Sequence, residues 1–118
     1  MSHLGELEQL VLFAVTALGD EAYGGAIRAH LEERGGRLVS SGAINTTLGR
    51  LEERRLVVGR VGTPDPGRAG RPRKYYALTP AGARDLRDSY TMFRAMAGRL
   101  MPRIDKLARA GGVREDEK

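Results

Sequence analysis

The chain has 118 residues, 41% of them hydrophobic and 30% charged, with no cysteine and a formal net charge of +5. That length predicts one soluble globular domain burying roughly two thirds of its unfolded surface, too little for a core plus an elaborate catalytic domain. Lack of cysteine excludes disulfides, thiolate zinc sites and cysteine catalysis, and the longest mainly apolar run, Leu10 to Leu18, is too short to span a bilayer.

No basic stretch precedes an apolar one at the N-terminus, so no signal peptide is expected and a cytoplasmic location is the default. The first periodic segment is Gly5 to Leu18, where Leu7, Leu10, Val11, Ala14, Val15 and Leu18 recur at helical spacing until Gly19 and Asp20 stop it. A second helix runs from Tyr23 or Gly24 to Arg34, with Ile27 and Leu31 inward and Gly35-Gly36 at its end. Gly24 and Gly25 leave bare backbone at its start, which permits close approach of another chain or a phosphate. Arg37-Leu38-Val39 reads as a short extended piece. Ser40 or Ser41 then caps a third helix over Gly42 to Arg54, with Ile44, Leu48 and Leu51 inward and Ala43, Asn45, Thr46, Thr47 and Arg50 on the other faces.

Two strands follow, Leu56 to Val61 and Arg73 to Leu78. The loop between them, 62–72, holds three glycines and three prolines, reads as irregular, and carries Arg68 and Arg71 just ahead of Arg73 and Lys74. Thr79-Pro80 opens the last helix, with Thr as cap and Pro in the first turn. It is predicted to reach about Ala110, where Gly111-Gly112 ends it and a charged tail, 113–118, begins. Leu86, Tyr90, Phe93, Ala97, Leu100, Ile104 and Leu107 alternate spacings of four and three, a heptad seam. Pro102 interrupts it and predicts a kink or break, with Gly98 losing its carbonyl's partner.

Charge is unevenly placed along these elements. Residues 1–49 carry three Arg against six acids, a balance of −3; residues 50–74 carry eight Arg or Lys against three acids, or +5; residues 75–118 carry nine against six, or +3. An excess concentrated from the third helix through the loop predicts a surface that meets an anion, and nucleic acid is the commonest such partner. The order of elements is that of a winged helix, a helix-turn-helix variant. The fold class is therefore mainly α (α+β): a winged helix-turn-helix over 1–79 with a two-stranded wing, followed by a long C-terminal dimerisation helix over 80–112. In such a fold a helix enters the major groove of double-stranded DNA and small polar residues near its start reach base edges, while a basic hairpin loop meets phosphates or the minor groove.

Ser40, Ser41, Ala43, Asn45, Thr46, Thr47 and Arg50 are the candidate groove-facing residues, and Arg68, Arg71, Arg73 and Lys74 the candidate phosphate contacts. The ordinary alternative for the first set is an exposed helix face, and for the second a solvated charge run. The seam from Leu86 to Leu107 is read as a dimer interface, because the last helix is too long for a three-helix core to cover. Tyr90, Met92, Phe93 and Met96 lie on or beside it and could line a site for a small hydrophobic effector, since Met adapts to many shapes; at this spacing plain packing is the alternative. His3 and His30 are isolated, and Asp85, Asp88 and Asp105 pair with no nucleophile or base. Ser40 and Ser41 have no histidine partner, and no P-loop is present. No enzyme, metal or cofactor is expected. An adaptor whose basic wing meets an acidic protein is the competing reading.

These residues resemble the PadR-like transcriptional regulators over about residues 4 to 110. Leu4-Gly5-Glu6-Leu7-Glu8 is similar to the family's opening, Ala22-Tyr23-Gly24 to the start of its second helix, and Ser41-Gly42-Ala43-Ile44 through Leu48, with Arg50-Leu51-Glu52, to its recognition helix. Gly70-Arg71-Pro72-Arg73-Lys74-Tyr75-Tyr76 followed by Leu78-Thr79-Pro80-Ala81-Gly82 is similar to its wing and the start of its last helix. The resemblance implies a homodimer and repression by operator binding, relieved by a small molecule or other signal. A single last helix resembles the short subfamily. The chain departs from the pattern at Asn45, where tyrosine is usual, at Gly25-Ala26, often an aromatic and an acid, and at Arg55, where a helix-ending glycine is usual. Without tryptophan, a ligand pocket walled by stacked indoles cannot form.

Overall fold

The computed structural model describes residues 3–116, with side chains to residue 110. Helix α1 (Glu6–Leu18) starts where the Gly5 amide donates to Glu8 Oε1 at 2.8 Å, and Glu6 and Glu8 favour its positive end. Helix α2 (Gly24–Gly35) closes on Gly36, whose left-handed φ of 62° lets its amide reach back to Glu32 O. Helix α3 (Ser41–Glu53) is capped by Ser40, whose Oγ accepts from the Ala43 amide at 3.1 Å. Val11, Leu12, Val15, Ile27, Leu31, Ile44, Leu48 and Leu51 bury one face of each helix in a common core. At about 25 cal/mol per Å2 of apolar surface, that burial is the main source of stability.

The strands β1 (Val57–Val61) and β2 (Lys74–Leu78) pair antiparallel, with Val57 opposite Leu78 and Val61 opposite Lys74. Val57 and Leu56 enter the core, so the sheet is anchored at its base and free at its loop. The expected extended piece at Arg37 to Val39 is not a strand. Instead Ala22 and Tyr23 take the free edge of β2, with Tyr23 bridging Tyr75 and the Tyr76 amide donating to Ala22 O at 2.8 Å. The loop 62–72 is also less irregular than its composition predicts. It contains a single 3-10 turn, Pro66–Arg68, started by Asp65 Oδ1 accepting from the Gly67 amide at 2.9 Å.

Helix α3 ends in a Schellman turn: the Leu56 amide donates to Leu51 O and the Arg55 amide to Glu52 O, both at 2.9 Å. The left-handed position falls on Arg55, with φ of 60°, where a side chain carries a steric penalty. Arg55→Gly is therefore expected to stabilise the protein by about 1 kcal/mol in urea unfolding. A loss of stability would mean that the Arg55 side chain makes a compensating contact.

The last helix is two helices. Helix α4 (Pro80–Ala97) is capped by Thr79, whose Oγ1 accepts from the Gly82 amide at 3.0 Å, and helix α5 (Met101–Asp116) follows a short break. A continuous helix would drive the Pro102 ring against the Gly98 carbonyl and leave that carbonyl unpaired. The chain stops at Gly98, with φ of 46°, and restarts so that Pro102 falls in a first turn, where a missing amide costs nothing. Helix α5 runs on through Gly111 and Gly112, which are a helix penalty but not an obligate stop. It thereby takes in most of the expected tail, while 117–118 lie outside the described residues. From Tyr90 to Arg109 every residue but Ala97 is exposed, and the Cα radius of gyration is 18.1 Å, against about 13 Å for a compact chain of this length.

Candidate nucleic-acid interface

The third helix presents Ser41, Asn45, Thr46 and Arg50 to solvent, with Ala43 half-buried beside them. No acid interrupts this face before Glu52. Thr47 does not belong to it. At 6% exposure it packs inward with Ile44, Leu48 and Leu51, because positions 44, 47, 48 and 51 form the inner stripe of a helix, and it cannot reach a base. Ser40 spends one lone pair of its hydroxyl on the cap, accepting from the Ala43 amide, and is exposed.

Between α3 and the wing lies a cleft of about 370 Å3, lined by Tyr23, Gly24, Gly25, Ser41, Asn45, Arg68, Pro72, Arg73, Lys74 and Tyr76. Five of the sequence-predicted residues, Ser41, Asn45, Arg68, Arg73 and Lys74, thus converge on one feature. Ser40, Ala43, Thr46, Arg50 and Arg71 stand outside its lining. Asn45 leans on the bare backbone of α2, its Oδ1 3.3 Å from where a Cβ on Gly24 would sit. Asparagine at 45 and glycine at 24 fit together as a pair.

The wing cations are not equally free. Arg71 is exposed, its Nε donating to Arg68 O at 3.1 Å. The Arg73 guanidinium lies 4.3 Å from the centroid of the Tyr23 ring and 3.9 Å from Asp65 Oδ2. Tyr23 meets Tyr75 edge to face at 5.6 Å, and Arg60 covers Tyr75 at 4.8 Å while donating to Asp20 O. This alternating stack ties the wing root to the start of α2. Sequence reasoning missed Tyr23, Tyr75 and Arg60 as a unit, although strand alternation does place Tyr75 and Tyr76 on opposite faces. Lys74 donates to Glu52 Oε1 at 2.8 Å. That hydrogen bond holds the Lys74 ammonium above the ordinary lysine range, and burial pushes the Tyr76 phenol up in turn.

A second cleft of about 580 Å3 opens behind the wing root, where Asp20, Glu21 and Asp65 face Arg60 and Arg73. Among the described residues no group of three His, Cys, Asp or Glu could hold a metal ion, and no helix is long and apolar enough to cross a membrane. Of the predicted seam, Leu86 is a core residue, 6% exposed, because the first half of α4 docks onto α1. Tyr90, Phe93, Leu100, Ile104 and Leu107 are exposed and Ala97 is half-buried. Tyr90 meets Phe13 edge to face at 6.2 Å. Tyr90, Met92, Phe93 and Met96 are each more than half exposed.

Residues 12–88 match the transcriptional regulator PadR-like family. No curated protein matches the chain. Among solved structures it is similar to a PadR family transcription regulator from Clostridium difficile, at 24% identity and TM-score 0.66, over 85% of this chain and 99% of that one. A PadR family transcriptional regulator from Eggerthella lenta aligns at 25% identity and TM-score 0.65, over 84% and 86% of the two chains. A PadR-like transcriptional regulator from Bacillus cereus aligns at 26% identity and TM-score 0.61, over 86% and 90%.

Proposed function

The chain belongs to the PadR-like family of transcriptional regulators, and from that premise we propose that it is a homodimeric repressor that binds operator DNA and is released by a small hydrophobic effector or another signal. The observation that carries the DNA-binding part is the convergence of the α3 face and the wing arginines on one cleft. In this reading Asn45 and Thr46 face base edges, where an asparagine amide can pair with adenine N6 and N7. Ser40, Ser41 and Arg50 meet flanking phosphates, and Arg68, Arg71 and Arg73 carry the backbone along the wing. The exposed faces of α4 and α5 pack on a second copy, placing two recognition helices one DNA turn apart, about 34 Å. Tyr90, Met92, Phe93 and Met96 then acquire walls from the partner and become a place for an apolar ligand.

Fluorescence anisotropy with duplexes from the DNA flanking its own gene tests this reading. Binding is expected to weaken with salt, and changing Arg68, Arg71 and Arg73 to alanine to flatten the log–log salt slope by roughly 0.9 for each phosphate no longer neutralised. Affinity that ignores salt and survives the triple substitution would sink the proposal.

A further inference from the structure

Lys74 begins β2 beside Arg71 and Arg73, yet its ammonium is turned back onto the protein. Its Nζ lies 2.8 Å from Glu52 Oε1, at the last turn of α3, and 5.5 Å from the centroid of the Tyr76 ring. The path between lysine and carboxylate crosses Gly59, which stands opposite Tyr76 in the ladder. A Cβ on Gly59 would overlap Lys74 Cε and lie 2.9 Å from Glu52 Oε2. Glycine weakens a strand interior, and where it occurs there it marks close approach of something else. Here the approaching group is this side chain. Gly59 does not have a positive φ, so its backbone conformation does not require glycine. A carboxylate from α3, an aromatic ring from β2 and a missing side chain on β1 thus build one seat for one ammonium.

A carboxylate that accepts from a lysine ammonium offers the same chemistry as a DNA phosphate, an anionic oxygen taking a charge-assisted hydrogen bond. We propose that Glu52 competes with DNA phosphate for the Lys74 ammonium, and that the missing side chain at Gly59 lets it do so. The inference rests on the DNA-binding reading above. Backbone contacts supply nearly all sequence-independent affinity and position the protein without reading sequence. Withholding Lys74 lowers that component and leaves the contacts of α3 a larger share of the binding.

Salt titrations from 50 to 200 mM on a duplex of random sequence test it. Lys74→Met is expected to leave the slope of the otherwise unchanged protein as it is. Gly59→Ala displaces the lysine without altering net charge, and should steepen the slope by roughly 0.9 per chain, so that its advantage over the parent shrinks about threefold across the range. The steepening should vanish in Gly59→Ala/Lys74→Met. Glu52→Gln gives an independent route should Gly59→Ala fold poorly, its charge effect being removed by comparison with Glu52→Gln/Lys74→Met. A slope lowered by Lys74→Met alone, or left unchanged by both releasing variants, overturns the proposal while leaving DNA binding intact. If the parent protein binds no duplex at any salt, the DNA-binding reading fails and this inference with it.

Discussion

Gly82→Ala is expected to cost about 3 kcal/mol of stability, a large fraction of the total for a small domain. The substitution looks favourable from sequence, since alanine exceeds glycine in helix propensity by about 1 kcal/mol. Packing reverses the sign. Gly82 is buried in the first turn of α4, where an added Cβ would fall inside the radius of the Leu56 carbonyl oxygen and 2.8 Å from Leu78 Cδ1. That carbonyl cannot retreat freely, because it accepts from the Thr79 amide at 3.1 Å while Arg55 O accepts from Thr79 Oγ1 at 2.8 Å. One methyl group therefore forces α4 away from the turn that ends α3, and loosens the seat of Leu86 in the core. Gly49→Ala is the control: it sits inside α3 with no atom within 4 Å of its virtual Cβ, and should gain about 1 kcal/mol. Urea unfolding of both variants checks the contrast. Equal and small effects would show that the two glycines are set by propensity rather than by space.

That pair of glycines also shows how far the sequence is legible. Helical spacing, Ser40, Thr79-Pro80 and the charge excess from Arg50 to Lys74 are local signals. The first three helices and both strands are present with ends shifted by one residue, and the last helix starts where Thr79-Pro80 places it but breaks after Ala97 and runs on to Asp116. What the sequence conceals is long-range. Nothing near Tyr23 announces that it will pair with Tyr75 or stack under Arg73, because the partners lie some fifty residues on in the chain. Thr47 reads as outward by residue type alone, although its spacing from Ile44, Leu48 and Leu51 already puts it on the inner stripe of α3. Lys74 reads as a phosphate contact from its neighbours, while its hydrogen bond to Glu52 depends on how the strand folds back past Gly59. The heptad spacing across residues 86–107 is real as a pattern and discontinuous as a helix. Periodicity carries no information about which end of a stripe the core will claim, or where a proline will make the chain restart.

Phe93→Arg and Leu100→Asp are each expected to convert the protein to a monomer by light scattering, with the fold retained. Phe93 is 56% exposed on α4 and Leu100 48% in the break that follows it, and Met92, Met96, Met101, Ile104 and Leu107 are exposed as well. Scattered apolar side chains on a surface need no explanation, but a run of them along the outer half of α4 and the start of α5, where nearly every residue is exposed, does. A second copy is the occupant proposed for that face, because the extended arm of one chain can lie along that of another and bury both stripes at once. Charges introduced there lie in solvent in the monomer and are costly only in the interface, so they separate assembly from folding. Leu86→Asp differs, since Leu86 is already inside the core and its replacement should unfold the domain rather than split a dimer. Loss of the dimer removes the second DNA contact, and affinity for a two-fold operator should fall by roughly 10² to 10⁴, the gain that tethering two sites confers. Binding to a random duplex, which one wing can make alone, should fall far less. A dimer that survives both substitutions would show that the stripe serves another purpose; monomers that hold the operator as tightly as the parent would show that one recognition helix suffices.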